Sequence, residues 1–320
     1  MLDLNDYFNP VSIERPYFQS LSGNAGFPHN IFIHTENNPL KDISSFKVAI
    51  LGVPEGRNSL SLGSSDAPDS IRRQLYSLAR IPGRNKIIDL GNMKQGASFG
   101  DTLAGLTDIL GTLTGESVFP VIIGGSSALV SAIDRTFSNL REDYTLITVD
   151  PRIDYNSTPE IPGSLSYLNS IYANSRSTLK HFINIGYQTY LNDQQVLNRF
   201  IRRNSELIRI GDVRQAIYLT EPLFRDSHVA IFDISAVRQS DAPGTALPSP
   251  NGFYGEEICL LSRYAGISDN LKIFGLFDVD PGFDNRDQTS GLAAQIIWFF
   301  LEGFSQKQYE APSLSESNSG

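Results

Sequence analysis

The chain of 320 residues is 40% hydrophobic and 19% charged, a globular composition sufficient for one large α/β domain or two small ones. A net charge of −9 and a pI near 5.0, with no lysine- or arginine-rich run, exclude a nucleic-acid backbone or an anionic membrane surface as the main partner. No apolar run approaches the roughly 20 residues that span a bilayer, the first residues lack the pattern of a secretion signal, and one cysteine excludes an internal disulfide, so a cytoplasmic setting is expected.

Residues 1–45 are rich in Asn, Pro, Ser and aromatics without a period, and read as an irregular arm laid over the core. Eight short apolar runs follow, at 47–53, 86–91, 118–124, 144–150, 181–186, 206–211, 228–234 and 271–277. Most are continuous rather than alternating, as expected of strands covered on both faces in a parallel sheet. Helical patterns fit between them at 67–80, 99–115, 127–139, 192–203, 212–225, 254–266 and 288–304. Cys259 falls inside the helical pattern EEICLLSRYAG, where a buried small hydrophobe is the expected role. The last residues, 306–320, are polar and expected to be disordered, which leaves 46–305 as the folded domain. Strand–helix alternation of this kind predicts a doubly wound α/β sheet, although a (β/α)8 barrel has the same element count.

In either architecture ligands bind past the carboxyl ends of the strands. Those ends carry Gly124–Ser127, Asp150 to Asp154, Asp233 to Ser235, and Asp278. Asp150, Asp154, Asp233 and Asp278 therefore share one rim. Converging carboxylates suit a hard divalent cation such as Mg²⁺ or Mn²⁺, and equally an arginine-paired polar cluster without metal. Any one of them alone is explained as the cap of the next helix. The four histidines lie elsewhere: His181 and His228 open their strands at the opposite edge, and His29 and His34 belong to the arm.

The same segments, in order, resemble the ureohydrolase superfamily of arginase, agmatinase and formiminoglutamase. GVPEG (52–56) and APDSIR (67–72) are similar to its opening motifs. GGSSA (124–128) stands where the family has G-G-D-H-S, and DPRID (150–154) where it has D-A-H-x-D. FDISAVRQSDAPGT (232–245) matches its F-D-[IV]-D-x-x-D-P-x-x-A-P-G-T. NGFYGEE (251–257) and FDVDPGFDNRDQTSGLAAQII (277–297) resemble its last two motifs. The resemblance covers about 47–304 and implies a three-layer fold around an eight-stranded, mostly parallel sheet.

The resemblance also implies a site. In that family two Mn²⁺ ions, held by six side chains, activate a hydroxide that attacks a guanidinium or formimino carbon. Those six positions are Ser127, Asp150, Arg152, Asp154, Asp233 and Ser235 here, so three carboxylates are kept and two histidines and one aspartate are replaced. Asp278 stands for the Glu that meets the substrate's cationic end. A serine hydroxyl is a weak ligand and a guanidinium is none. On these grounds Arg152 is expected to pair with Asp150, Asp154 or Asp233, with Arg238 adding a second positive charge. The sequence thus predicts a metal-free pseudoenzyme that binds a ligand or partner, with Asp150, Asp154 and Asp233 as vestigial ligands. Its pocket would be formed by Ser126, Ser127, Arg152, Ser235, Arg238 and Asp278. The other expectation is a formiminoglutamase-like hydrolase of linear amidine C–N bonds with a rebuilt or single-metal Mn site, completed by His29, His34 or a neighbouring subunit. Family resemblance further implies a homo-oligomer.

Overall fold

The computed structural model describes residues 3–12, 25–40, 42–156, 163–203 and 205–307. The first apolar runs form β3 (Val48–Gly52), β4 (Ile87–Met93), β5 (Phe119–Ile123) and β6 (Tyr144–Val149). The later ones form β7 (Leu179–Tyr187), β8 (Glu206–Arg209), β9 (Val229–Asp233) and β10 (Ile273–Phe277). Two further strands of two residues each, β1 (Phe8–Asn9) and β2 (Phe32–Ile33), make ten rather than eight among the described residues. They come from the arm and share the outer edge of β4, β1 against Asn92–Met93 and β2 against Ile88–Asp89. Two residues are too short to show a period, which is why the arm reads as irregular in sequence.

The strand order is β1-β4-β3-β5-β10-β9-β6-β7-β8, with β2 also on β4. The sheet is open, ending at β1/β2 and β8, so the barrel is excluded. Every pairing is parallel except that of β1 with β4. Helices α1 (Ala67–Leu75), α2 (Phe99–Gly115), α3 (Val130–Leu140), α4 (Tyr167–Ala173) and α5 (Gln194–Arg202) follow in the first part of the chain. Helices α6 (Ile210–Gln215), α7 (Glu221–Arg225), α8 (Gly255–Ile267) and α9 (Gln288–Gln306) complete the set among the described residues. β3 shows how a continuous apolar strand serves both layers. Val48 and Ile50 pack with Ile71, Leu261 and Phe300 on one face, and Ala49 and Leu51 with Leu106, Ile133 and Phe137 on the other. Removing such side chains from water, at roughly 25 cal/mol per Å² of apolar surface, is the main force holding the layers together.

Some helices differ from their expected spans. The 212–225 pattern splits into α6 and α7 around a tight turn at Ile217–Thr220, and Pro222, which lacks an N–H, sits in the first turn of α7. α1 stops at Leu75 rather than running to 80, and α4 was not foreseen. α8 and α9 meet at Gly266 and Gly303, where a Cβ on either would collide with the other helix's backbone. Cys259 is buried in α8, and burial pushes its thiol up to about 12. No helix among the described residues is long and apolar enough to cross a membrane. Most of the expected disordered tail, 308–320, lies outside the described residues.

Candidate metal centre

β5, β10, β9 and β6 are consecutive in the sheet, so their carboxyl ends form one contiguous floor. β6 delivers Asp150, whose Oδ1 accepts the Arg152 N–H at 2.7 Å. The loop beyond it is fixed from behind. The Asn184 amide on β7 donates to the carbonyls of Asp150 (3.2 Å) and Arg152 (3.1 Å), while Asn192 accepts from the Ile153 N–H (2.7 Å) and donates to the Pro151 carbonyl (3.0 Å). Asp154 is thereby carried back under Asp150. β9 delivers Asp233, whose Oδ1 accepts the Ser235 N–H at 2.7 Å. β10 delivers Asp278, with a positive φ of 62° that a non-glycine residue rarely adopts. That conformation lets its N–H reach the Gly125 carbonyl (2.9 Å) and its Oδ2 accept the Ser127 N–H (3.1 Å). Gly124 and Gly125 make this approach possible, since a Cβ on them would strike Pro68 and the Val53 carbonyl.

The result is a triad. Asp150, Asp154 and Asp233 are buried, and each offers an oxygen within 4.8 Å of the others. They line a cleft together with Asp278, Asp280 and Arg152. Burial, and then the charge of Asp233, push Asp150 up to about 7. Asp154 stands well above the ordinary carboxylate range through burial and the charges of Asp150 and Asp233. Burial and then Asp233 raise Asp278 strongly. Asp233 is raised by burial too, with the Ser235 bonds and the Arg152 charge opposing. A cluster of this kind is costly when empty and ready for a cation.

The expected compensation by arginine is not what the structure contains. Among the described residues the Arg152 guanidinium forms no ion pair, and only its backbone N–H touches the cluster. It is half-buried on the cleft wall, close enough for its charge to draw Asp150 and Asp233 downward. Arg238 is not in the cleft at all. It donates to Asp241 at 2.9 Å and stacks on the Tyr254 ring at 4.1 Å, because the turn after β9 directs it along the surface. The Ser126 hydroxyl is likewise used up, accepting the Ala128 N–H (3.1 Å), and that of Ser127 donates to the Ser164 carbonyl (3.1 Å). Of the six expected pocket residues, the side chains of Arg152, Ser235 and Asp278 line the cleft.

The histidines offer no ligand. His34 is buried with Nδ1 2.8 Å from the Leu90 carbonyl, His29 is exposed, His181 meets Glu206 at 3.0 Å, and His228 accepts the Thr145 N–H at 3.1 Å. Sequence reasoning missed Asp280, buried and bonded to the Ser61 hydroxyl and the Gly282 N–H (2.8 Å). Its place two residues after Asp278 was a usable signal. It also missed Ser164, brought in by a loop that hangs on Asn58 through two bonds of 2.9 and 3.1 Å.

Whether a cation fits is decided by the donors. The Asp154 Oδ2 atom is buried without a hydrogen-bond partner, two further carboxylates lie beside it, and among the described residues no guanidinium forms an ion pair with them. Oxygen donors of this type suit Mg²⁺ or Mn²⁺. The comparisons agree with the architecture. The family model described as the arginase family matches residues 46–302. The chain belongs to the arginase family. Among its arginase-family relatives, the formimidoylglutamase of Bacillus subtilis strain 168 is 24% identical over 277 residues, covering 80% of this chain and 86% of the relative. The crystal structure of Trypanosoma cruzi formiminoglutamase, solved with Mn²⁺, superposes with a TM-score of 0.76 at 17% identity over 84% of this chain and 96% of that one. The proclavaminate amidino hydrolase of Streptomyces clavuligerus gives 0.73 at 18% identity, over 92% and 100% of the two chains. The structural likenesses carry the fold. Neither they nor the geometry support a metal-free, degraded centre in this arginase-family chain.

Proposed function

We propose that the protein is a formiminoglutamase-like hydrolase that cleaves a non-peptide C–N bond in a linear amidine, with one Mn²⁺-type cation held by Asp150, Asp154 and Asp233. The observation that carries this reading is the buried carboxylate triad, its oxygens within 4.8 Å of one another and one of them unpartnered. The relatives suggest a substrate class, since the Bacillus subtilis protein named above is a formimidoylglutamase. The chemistry such a cation supplies is Lewis acidity and a water acidified toward neutral pH.

The remaining work falls to the chain. Asp278, half-buried on the same floor and anchored by Ser127, presents a carboxylate oxygen to the N–H groups of an amidine. The backbone bonds around Asp150 and Asp233 hold the triad in place before any cation arrives, so little reorganisation accompanies loading. Leu60, Leu165 and Leu247 on the cleft walls limit bulk water around the reacting group. As in the family it resembles, we expect the chain to assemble as a homo-oligomer.

The test is turnover. Protein loaded with Mn²⁺ and freed of excess metal is incubated with N-formimidoyl-L-glutamate, agmatine and arginine. Metal-dependent release of glutamate from the first, abolished by Asp233→Asn, is the expected outcome. Full Mn²⁺ occupancy with no cleavage of any of the three would overturn the reading.

A further inference from the structure

Among the described residues, the one cationic side chain on the cleft wall, Arg152, is left over by the chemistry above. Arg152 is fixed by its backbone on both sides, its N–H on Asp150 Oδ1 (2.7 Å) and its carbonyl on Asn184 (3.1 Å). The guanidinium nevertheless takes no partner among the described residues, although carboxylates line the same cleft. The contrast with the molecule's other cleft and core arginines is informative. Arg72 bonds Asp89 through Nε at 2.9 Å, and Arg57 grips Glu55 with both Nε (2.9 Å) and a terminal nitrogen (2.5 Å). An arginine that has acidic neighbours and pairs with none, on a loop clamped from behind, is presented to the cleft rather than to the fold. A second group is left in the same way. The Ser164 hydroxyl, on a residue only 4% exposed, lines the cleft without a hydrogen-bond partner.

We infer that Arg152, assisted by the Ser164 hydroxyl, is the specificity-determining anchor for a carboxylate group of the substrate. The inference rests on the amidine-hydrolase reading and narrows it. The substrate carries an amidine at one end and a carboxylate within reach at the other. A divalent cation on the triad offsets two of its three negative charges, and the unpaired Arg152 guanidinium is then a local attraction for an anion on the cleft wall. A guanidinium fork matches a carboxylate through two parallel N–H···O bonds, and a planar acid end fits it better than a cationic amine, which it repels. The same charge disfavours agmatine and other dicationic guanidines.

The experiment is calorimetric binding of L-glutamate, with inorganic phosphate as a second probe, to the Mn²⁺-treated full chain and to Arg152→Met, Arg152→Lys and Ser164→Ala. Mn²⁺ binding is measured on each in parallel. The inference expects glutamate to bind the unaltered protein, and Arg152→Met to weaken it roughly tenfold or more while Mn²⁺ affinity is largely kept. Arg152→Lys should restore part of the loss, and Ser164→Ala should cost less than Arg152→Met. Glutamate affinity equal in Arg152→Met and the unaltered protein, no glutamate binding at all, or Arg152-dependent binding of phosphate but not glutamate would each overturn it. Failure of Mn²⁺ to bind would instead count against the hydrolase reading, since the glutamate arm is scored separately. Circular dichroism of each variant separates a lost contact from a lost fold.

Discussion

Asp154 is the residue on which the site turns. Its Oδ2 is buried without a partner, and the charges of Asp150 and Asp233 bear on it. Asp154→Asn keeps the shape and removes a repelled charge. Metal-free protein carrying it should melt a few degrees higher than the unaltered chain, while its Mn²⁺ affinity falls on the order of 100-fold. Melting curves with and without Mn²⁺ read both effects, and a lower melting temperature without metal would speak against the electrostatic account. At this scale much was legible in the sequence. Asp150, Asp154, Asp233 and Asp278 announce themselves as polar residues ending apolar runs. The direction of a side chain does not. Arg152 and Arg238 were expected to neutralise the cluster because they stand where the family has metal-site residues, whereas one lines the cleft without an ion pair and the other turns away to Asp241. Ser61 and Ser164 come from loops with no clearer sequence signal than small polar residues.

Between residue and molecule stands the 150–154 loop, held by Asn184 and Asn192 rather than by its own sequence. Asn184→Ala removes the bonds to two of its carbonyls and leaves them buried. The expected cost is about 1–3 kcal/mol of stability and roughly 10-fold in Mn²⁺ affinity, checked by denaturant unfolding and by metal titration. Metal affinity unchanged alongside a full loss of stability would show the clamp to be structural alone. The strands themselves were legible because burial on both faces writes a continuous apolar run, as in the fully buried β3, β5, β9 and β10. Short or interrupted elements were not. β1 and β2 owe their existence to a free edge on β4, and α6 and α7 read as one helix until Pro222 is taken as a start signal.

For the whole molecule, the cluster links stability to pH. Folding raises Asp150 from 3.8 to about 7, and Asp154, Asp233 and Asp278 move in the same direction. Across that window the folded protein holds protons that the unfolded chain has released. Stability of the metal-free protein should therefore be greatest at the acidic end and fall as pH rises from about 4 to about 7, on the order of a few kcal/mol. Bound cation should flatten the slope, and its own affinity should drop below about pH 7 as protons compete. A metal-free protein that gains stability across the same window would reverse the sign of the account. The order of strands explains why one cluster has such reach: four neighbouring strands in the middle of the sheet end on it.

The most direct test of the central claim is the metal content of the protein itself. The chain is purified in Mn²⁺-containing buffer, dialysed, and analysed by elemental mass spectrometry beside a thermal melt. The account predicts about one tightly held cation per chain and a melting temperature raised by about 4 °C when free Mn²⁺ stands near 100 times its dissociation constant. No retained metal, and a melting temperature indifferent to Mn²⁺, would contradict it and return the cluster to a metal-free role.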